Sequence, residues 1–155
     1  MKQVQARRRR GQALAETGVV IIILVLVTAL IVEFGRDFML VNMITHTARD
    51  AARFAATLPD RDAATGCLTS AGCTQVRNYV DNILGTVIST NGGSLDPAAV
   101  SQPLDAGSGE PLIQVTITGS IGAITGLIPA GTVTVDRSAT YRDEQRKLNA
   151  ACGAC

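Results

Sequence analysis

The chain has 155 residues, which suits one compact domain plus an extended element, because domains usually span roughly 100 to 200 residues. Hydrophobic residues make up 46 % of it and aromatic residues 3 %, and much of the apolar excess lies before residue 35. The net charge is +1, but 5 of the 14 basic residues precede Gly11, which leaves 9 against 13 acidic residues and argues against a nucleic-acid-binding protein.

The start of the chain is a basic tract followed by an apolar run. Lys2 and four arginines at positions 7–10 precede Thr17–Val32, which carries no charge. A bilayer core needs roughly 20 helical residues, and the segment 12–34 meets that length if Glu16 is accommodated. Arginines before such a segment favour a cytoplasmic N-terminus and a single pass through the inner membrane. Everything after about residue 35 is then expected in the periplasm.

A secretory signal peptide is an alternative interpretation of this segment, since it also joins a basic region to an apolar one. The best small-residue cleavage site, Val27-Thr28-Ala29, is followed by more apolar residues, Leu30 to Val32. The pattern therefore favours a retained membrane helix.

The residues Gly11-Gln12-Ala13-Leu14-Ala15-Glu16, after four arginines, resemble the cleavage region of type IV pilin-like proteins. The resemblance implies that a prepilin peptidase cuts between Gly11 and Gln12, which places Glu16 fifth in the mature chain. It also implies a role for Glu16 in subunit docking within the membrane. A carboxylate buried among apolar helices needs a partner, and the new amine on a neighbour's Gln12 would supply one.

Within that class, GQALAE, the apolar run, Glu33–Arg36 and residues 48–55 look like the TadE family of the tight adherence (Tad/Flp) pilus system. Major pilins of this branch are far shorter than the 144 residues that follow Gly11, so the resemblance implies a minor pseudopilin, TadE or its sister TadF. Implied partners are the prepilin peptidase, the inner membrane, the major pilin and a sister pseudopilin. The alternative is an uncleaved membrane-anchored domain that binds a periplasmic partner.

After the apolar run the hydrophobic residues become periodic, which predicts one helix over about 13–57, ended by Pro59. The apolar face is predicted to hold Phe34, Phe38, Val41, Ile44, Ala48, Ala51, Ala55 and Leu58. The opposite face is predicted to hold Arg36, His46, Arg49, Asp50 and Arg53. The predicted segments are a leader (1–11), a transmembrane segment (12–34), a periplasmic continuation of the helix (35–58) and a head (59–155).

The head is predicted to be α+β: one further helix and a short antiparallel sheet. Helical spacing predicts a helix over Thr74–Ile88 with Thr74 as its N-cap. A loop over 89–111 is expected to hold at most one short strand, near Val100. Alternation predicts two antiparallel strands, one around Ile113–Thr118 and one around 132–136. The glycine-rich apolar stretch between them, 119–131, is predicted either to pack beneath the sheet or to face a partner.

Four cysteines, Cys67, Cys73, Cys152 and Cys155, are expected outside the membrane, where disulfides form. Three pairings are open: the local one or either crossed one. A zinc site is the alternative, but the first spacing is wider than usual. No metal or other cofactor is predicted. The sole histidine, His46, lacks a nucleophile nearby in sequence, so the chain is not expected to be an enzyme.

Overall fold

The computed structural model describes residues 2–122, 133–146 and 152–155, with side chains for 14–122, 134–146 and 152–155. The chain forms two compact units, Met1–Arg36 and Asp37–Cys155, which are described separately below. Helix α1, Lys2–Thr57, contributes to both. The predicted end of the helix before Pro59 is confirmed. Its start lies earlier than predicted, because the arginines and glutamines of the leader are good helix formers and no proline interrupts them.

The buried face of α1 in the second unit consists of small and aliphatic residues. Leu40, Ile44 and Leu58 are 2–5 % exposed, and four of the alanines in this stretch are at most 1 % exposed (Ala48, Ala51, Ala52 and Ala55). These alanines therefore lie in the core, where the absence of a long side chain lets other elements approach the helix backbone closely.

The prediction that Phe34 and Phe38 share this buried face is wrong. Phe38 is 71 % exposed because it lies two residues, roughly 200° around the helix, before Leu40. In the first unit Phe34 is 65 % exposed. Arg36 is also not solvent-facing as predicted, since its side chain is 16 % exposed. His46 and the charged residues Arg49, Asp50 and Arg53 are exposed, as predicted.

The second helix of the head begins earlier than predicted and contains a wider turn. Helix α2 spans Ser70–Val80, a π-helical segment spans Asp81–Gly85, and α3 spans Thr86–Thr90. The N-cap is Thr69, whose hydroxyl accepts a hydrogen bond from the amide of Gly72 at 3.3 Å. Thr74 lies inside α2 instead, where its hydroxyl donates to the Ser70 carbonyl at 2.9 Å.

A four-stranded antiparallel sheet completes the head: β1 (Ser94–Leu95), β2 (Ala99–Ser101), β3 (Leu112–Ile121) and β4 (Val133–Arg142). Strand β4 pairs with β3 along its whole length, from Leu112 opposite Arg142 to Ile121 opposite Val133. Strands β1 and β2 pair with different parts of β3, so they share its other side. The predicted antiparallel pair is confirmed and is longer than expected.

Strand β1 was not predicted, because two residues are too few to show alternation. Its close pairing depends on Gly119, where an added Cβ would lie 2.7 Å from the Ser94 carbonyl oxygen. In β3 the predicted alternation is confirmed: Ile113, Val115 and Ile117 are at most 1 % exposed. The rest of the predicted glycine-rich stretch, 123–131, lies outside the described residues.

One core joins these elements in the second unit. The apolar face of α1 packs with Val76, Val80, Leu84 and Ile88 from the second helix and with the inward-facing residues of the sheet. The rings of Phe54 on α1 and Tyr79 on α2 stack with centroids 4.9 Å apart. The α+β fold class that the sequence predicts is confirmed.

Candidate functional site

The predicted cleavage and docking residues lie in the first unit. Gly11 and Gln12 belong to α1, and their side chains lie outside the described range. Glu16 follows on the same helix and is exposed; it lines a shallow, almost wholly apolar groove with Ala15, Val19 and Val20. The structure thus places a carboxylate on an otherwise apolar helix surface.

The apolar run leaves its large side chains uncovered within the first unit. From Val19 to Val32 these side chains are 40–67 % exposed. Exposing apolar surface to water costs about 25 cal/mol per Å², so a surface of this extent needs lipid or other apolar helices around it. The helix from Leu14 is long and apolar enough to cross a membrane. Length and composition alone would also admit a signal sequence.

An ion pair follows the apolar run. The Glu33 side chain is 3 % exposed, and its carboxylate lies 3.9 Å from the Arg36 guanidinium, one helical turn later. Pairing of this kind is what a carboxylate removed from water requires. The sequence does not predict this pairing.

In the head the cysteines form one of the two crossed pairings. Cys67 bonds to Cys152 and Cys73 to Cys155, with Cα separations of 5.7 and 6.2 Å. Both bonds join the segment that follows α1 to the last described residues of the chain. Disulfides persist in oxidising compartments, which suggests that the head lies outside the cytoplasm.

A buried arginine, Arg61, binds the backbone carbonyls at the C-terminal end of α1. The Arg61 guanidinium lies 2.8 Å from the carboxylate of Asp143, and the two side chains are 7 % and 0 % exposed. Arg61 also donates to the carbonyls of Ala55, Ala56 and Leu58 at 3.0–3.2 Å, and to that of Gly66 at 2.9 Å. The last carbonyls of a helix lack partners within the helix, so Arg61 caps the C-terminal end of α1. The Asp143 carboxylate neutralises the charge of the Arg61 guanidinium.

A second arginine, Arg146, holds the segment after β4 against the loop after β2. It is 4 % exposed and donates to the carbonyls of Gln102 and Pro103. Burial lowers the pKa of the Arg146 guanidinium, an effect that the charge of Asp143 opposes. The Gln102 side chain in turn accepts from the Leu68 amide at 2.8 Å.

The last described residues continue this anchorage. The Cys155 amide donates to the Val100 carbonyl at 2.9 Å, and the Arg77 guanidinium donates to the Cys155 carbonyl. Two disulfides, a buried ion pair and these backbone bonds therefore attach the C-terminal segment to the loop after α1, to α2 and to β2.

Sequence reasoning missed Arg61, Asp143 and Arg146. Arg61 stands between two aspartates after a proline, a pattern typical of a solvated turn. Its ion-pair partner is 82 residues away, so no local spacing connects them. The available signal was its position just after the last helical turn, where a basic side chain can bind free carbonyls.

Among the described residues, no group of three or more His, Cys, Asp or Glu side chains is placed to hold a metal ion. The four cysteines are joined in disulfides and offer no thiolate. The arrangement suits a scaffold stabilised by covalent bonds and buried ion pairs.

The family model of TadE-like proteins matches residues 11–53. This match begins at the predicted cleavage glycine, covers the apolar run and ends near the end of α1, before the head. Neither the comparison with curated proteins nor the comparison with solved structures finds a match. The resemblance to TadE-like proteins is thus confirmed over residues 11–53.

Proposed function

We propose that this TadE-like protein is a minor pseudopilin that helps assemble a tight adherence (Flp type IVb) pilus after a prepilin peptidase cuts behind Gly11. Membership of the family implies a pilin-like protein associated with a Tad pilus, and such proteins are generally not enzymes. The observation that carries the finer proposal is the uncovered apolar surface of α1, which begins beside Glu16, five residues after Gly11.

The mechanism follows from the chemistry of the first unit. The peptidase frees an amine on Gln12 and leaves an apolar helix in the inner membrane. When this helix packs among those of other pilin-like subunits, the major pilin and a sister pseudopilin, its apolar side chains exchange lipid for protein contacts. In a medium of low dielectric constant a positive charge stabilises the Glu16 carboxylate, and the amine of a neighbouring subunit supplies that charge. The head remains on the periplasmic side.

Substituting Gly11 by Leu is expected to leave the chain at its full length when it is expressed with its prepilin peptidase, because a bulky side chain blocks the cut. The wild-type protein should lose the mass of residues 1–11. The measurement is the intact mass of protein extracted from the membrane. Gly18→Leu is the matched control, since Gly18 lies on the same helix in open space and should not affect cleavage. Full-length wild-type protein would support instead an uncleaved anchored binding domain.

Substituting Glu16 by Ala is expected to reduce co-purification with the other pilin-like subunits by at least about tenfold, while membrane insertion and cleavage remain normal. Removing one partner of a buried charge pair leaves the other unpaired, and about 1.4 kcal/mol already corresponds to tenfold. Glu16→Asp should restore part of the binding.

Thr28→Ala is the control for the Glu16 experiment. The Thr28 hydroxyl is a polar group on the same helix, but it donates internally to the Leu24 carbonyl at 2.8 Å. Its removal should leave co-purification unchanged. Normal docking by the Glu16→Ala protein would refute the role of the carboxylate without bearing on cleavage.

A further inference from the structure

One edge of the sheet is open. Strand β4 pairs with β3 on one side, and among residues 2–122, 133–146 and 152–155 no strand pairs with its other side. Near its end, Ser138 and Thr140 are exposed, Ala139 is half-buried and Tyr141 is 42 % exposed. An edge of this kind presents backbone donors and acceptors to any extended chain that lies beside it.

A groove runs between this edge and α1. Its walls are Arg49 and Arg53 of the helix and residues 138–141 of the strand. We call it the β4 groove. The Arg53 guanidinium lies over the Tyr141 ring, 5.8 Å from its centroid, a cation–π contact that holds the charge at the groove wall.

The charge of the groove is positive. Arg49 and Arg53 are one helical turn apart and both exposed, and in the described part of the chain neither guanidinium forms an ion pair within 4.0 Å. Asp50, between them in sequence, is exposed and does not pair with either. Arg137 and its neighbour Asp136 are also exposed on β4 but do not line the groove, so its positive charge comes from Arg49 and Arg53. Arginine guanidinium groups recognise carboxylates through two parallel hydrogen bonds.

We propose that the β4 groove binds an extended acidic segment of a partner protein, which adds to the sheet as a strand beside β4. Alternate side chains of an added strand would project towards α1, where carboxylates meet Arg49 and Arg53. A second copy of β4 fits the groove poorly, because its Arg137 and Arg142 lie on opposite faces of the strand, so either face turned towards α1 would bring an arginine to these arginines. The proposal is independent of cleavage after Gly11 and concerns a contact made by the head.

The test uses the full chain in detergent micelles and a synthetic ten-residue peptide of alternating Val and Thr with two Glu residues on one face. A matched peptide carries Lys at those two positions. Fluorescence anisotropy should show that the Glu peptide binds at least about tenfold more tightly, a preference that falls as salt is raised. Hydrogen exchange should show slower exchange of the amides of residues 138–141 when the Glu peptide is bound.

Two comparisons separate an added strand from simple ionic attraction. Two Glu peptides are N-methylated at alternate amides, one in each register; the one that lacks the donors facing β4 should lose binding. Arg49→Glu should weaken the Glu peptide by about tenfold or more and strengthen the Lys peptide. Arg142→Glu makes the same charge change outside the groove, at a side chain that pairs with Glu110 at 3.1 Å, and should leave the preference intact.

Equal binding of the Glu and Lys peptides to the wild-type chain would overturn the proposal, and this result does not depend on any variant folding correctly. Binding that survives methylation in both registers would overturn the added strand, as would slowed exchange confined to β1 or β2. An equal loss with Arg49→Glu and Arg142→Glu would show attraction by net charge and not by the groove.

Discussion

Substituting Cys67 and Cys155 together by Ser is expected to lower the free energy of unfolding of the head by about 7 kcal/mol. This pair of substitutions takes one cysteine from each disulfide and leaves Cys73 and Cys152, which do not pair in the folded head. Each bond alone closes a loop of 85 or 82 residues, for which the chain-entropy model gives about 4.5 kcal/mol. A change of this size is comparable to the whole stability of many small domains.

The matched pair, Cys67→Ser with Cys152→Ser, removes one complete disulfide and should cost only about 3 kcal/mol. The remaining bond still closes nearly the same loop, so the removed bond acted only on the short segments between the two bridges, 67–73 and 152–155. The cost is smaller although two cysteines are lost in both variants. The difference between the variants thus depends on the pairing itself.

The measurement is urea unfolding of the full chain in detergent, followed by brief proteolysis and alkylation of free thiols. Trypsin should release residues 62–77 joined to residues 148–155, since it cuts after Arg61, Arg77 and Lys147. Separate peptides would indicate local pairing. The matched variant should keep the peptides joined and resist alkylation, whereas wild-type-like stability with a disulfide in the mismatched variant would contradict the crossed pairing described here.

Substituting Asp143 by Ala is expected to destabilise the head by about 3–5 kcal/mol, because it leaves the buried guanidinium of Arg61 without its counter-charge. Arg61→Lys should be nearly as damaging. A lysine keeps the charge but cannot reach the carbonyls of Ala55, Ala56, Leu58 and Gly66 at once, since it lacks the planar fork of the guanidinium. Both effects are measured as the free energy of unfolding of the full chain in detergent.

Arg142→Gln is the control for this pair. It breaks an ion pair whose side chains are 60 % and 40 % exposed, and such pairs contribute only about 0–1 kcal/mol. Replacing both members of the buried pair, Arg61→Met with Asp143→Leu, should not restore stability, because the carbonyls at the end of α1 would still lack a donor. Full recovery in that double variant would show that the charge pair, and not the capping of α1, accounts for the effect.

Strand β3 could be predicted because its burial follows a period of two: Ile113, Val115 and Ile117 point inward with no exception. The start of the second helix was predicted four residues too late, at Thr74, because its first turn, Ser70-Ala71-Gly72, shows no apolar periodicity. The N-cap Thr69 is also fixed by a contact from outside the helix, since its hydroxyl donates to the Asp60 carbonyl at 3.1 Å. The faces of α1 were partly misassigned because apolar spacing alone does not distinguish a side chain that faces the core from one that faces lipid or a partner.

In the candidate site, too, some residues could be predicted from the sequence and others could not. Gly11 and Glu16 are recognisable because their signal is local, a five-residue step next to an apolar run. The pairing of the cysteines and the partnership of Arg61 with Asp143 are not, because each joins positions more than 80 residues apart and depends on how the sheet closes on α1. Four cysteines alone leave three pairings equally open.

The crossed disulfides determine how the head responds to mechanical load. If a fibre is pulled, tension reaches the head along α1 and passes on to a partner at the point where that partner binds the head. Between Cys67 and Cys152 the chain could otherwise extend by roughly 3.4 Å per residue, to about 290 Å. With the bonds in place, a load applied between α1 and the C-terminal segment crosses directly from Cys67 to Cys152 and from Cys73 to Cys155. A load along that path bypasses the sheet, and the head transmits it without lengthening.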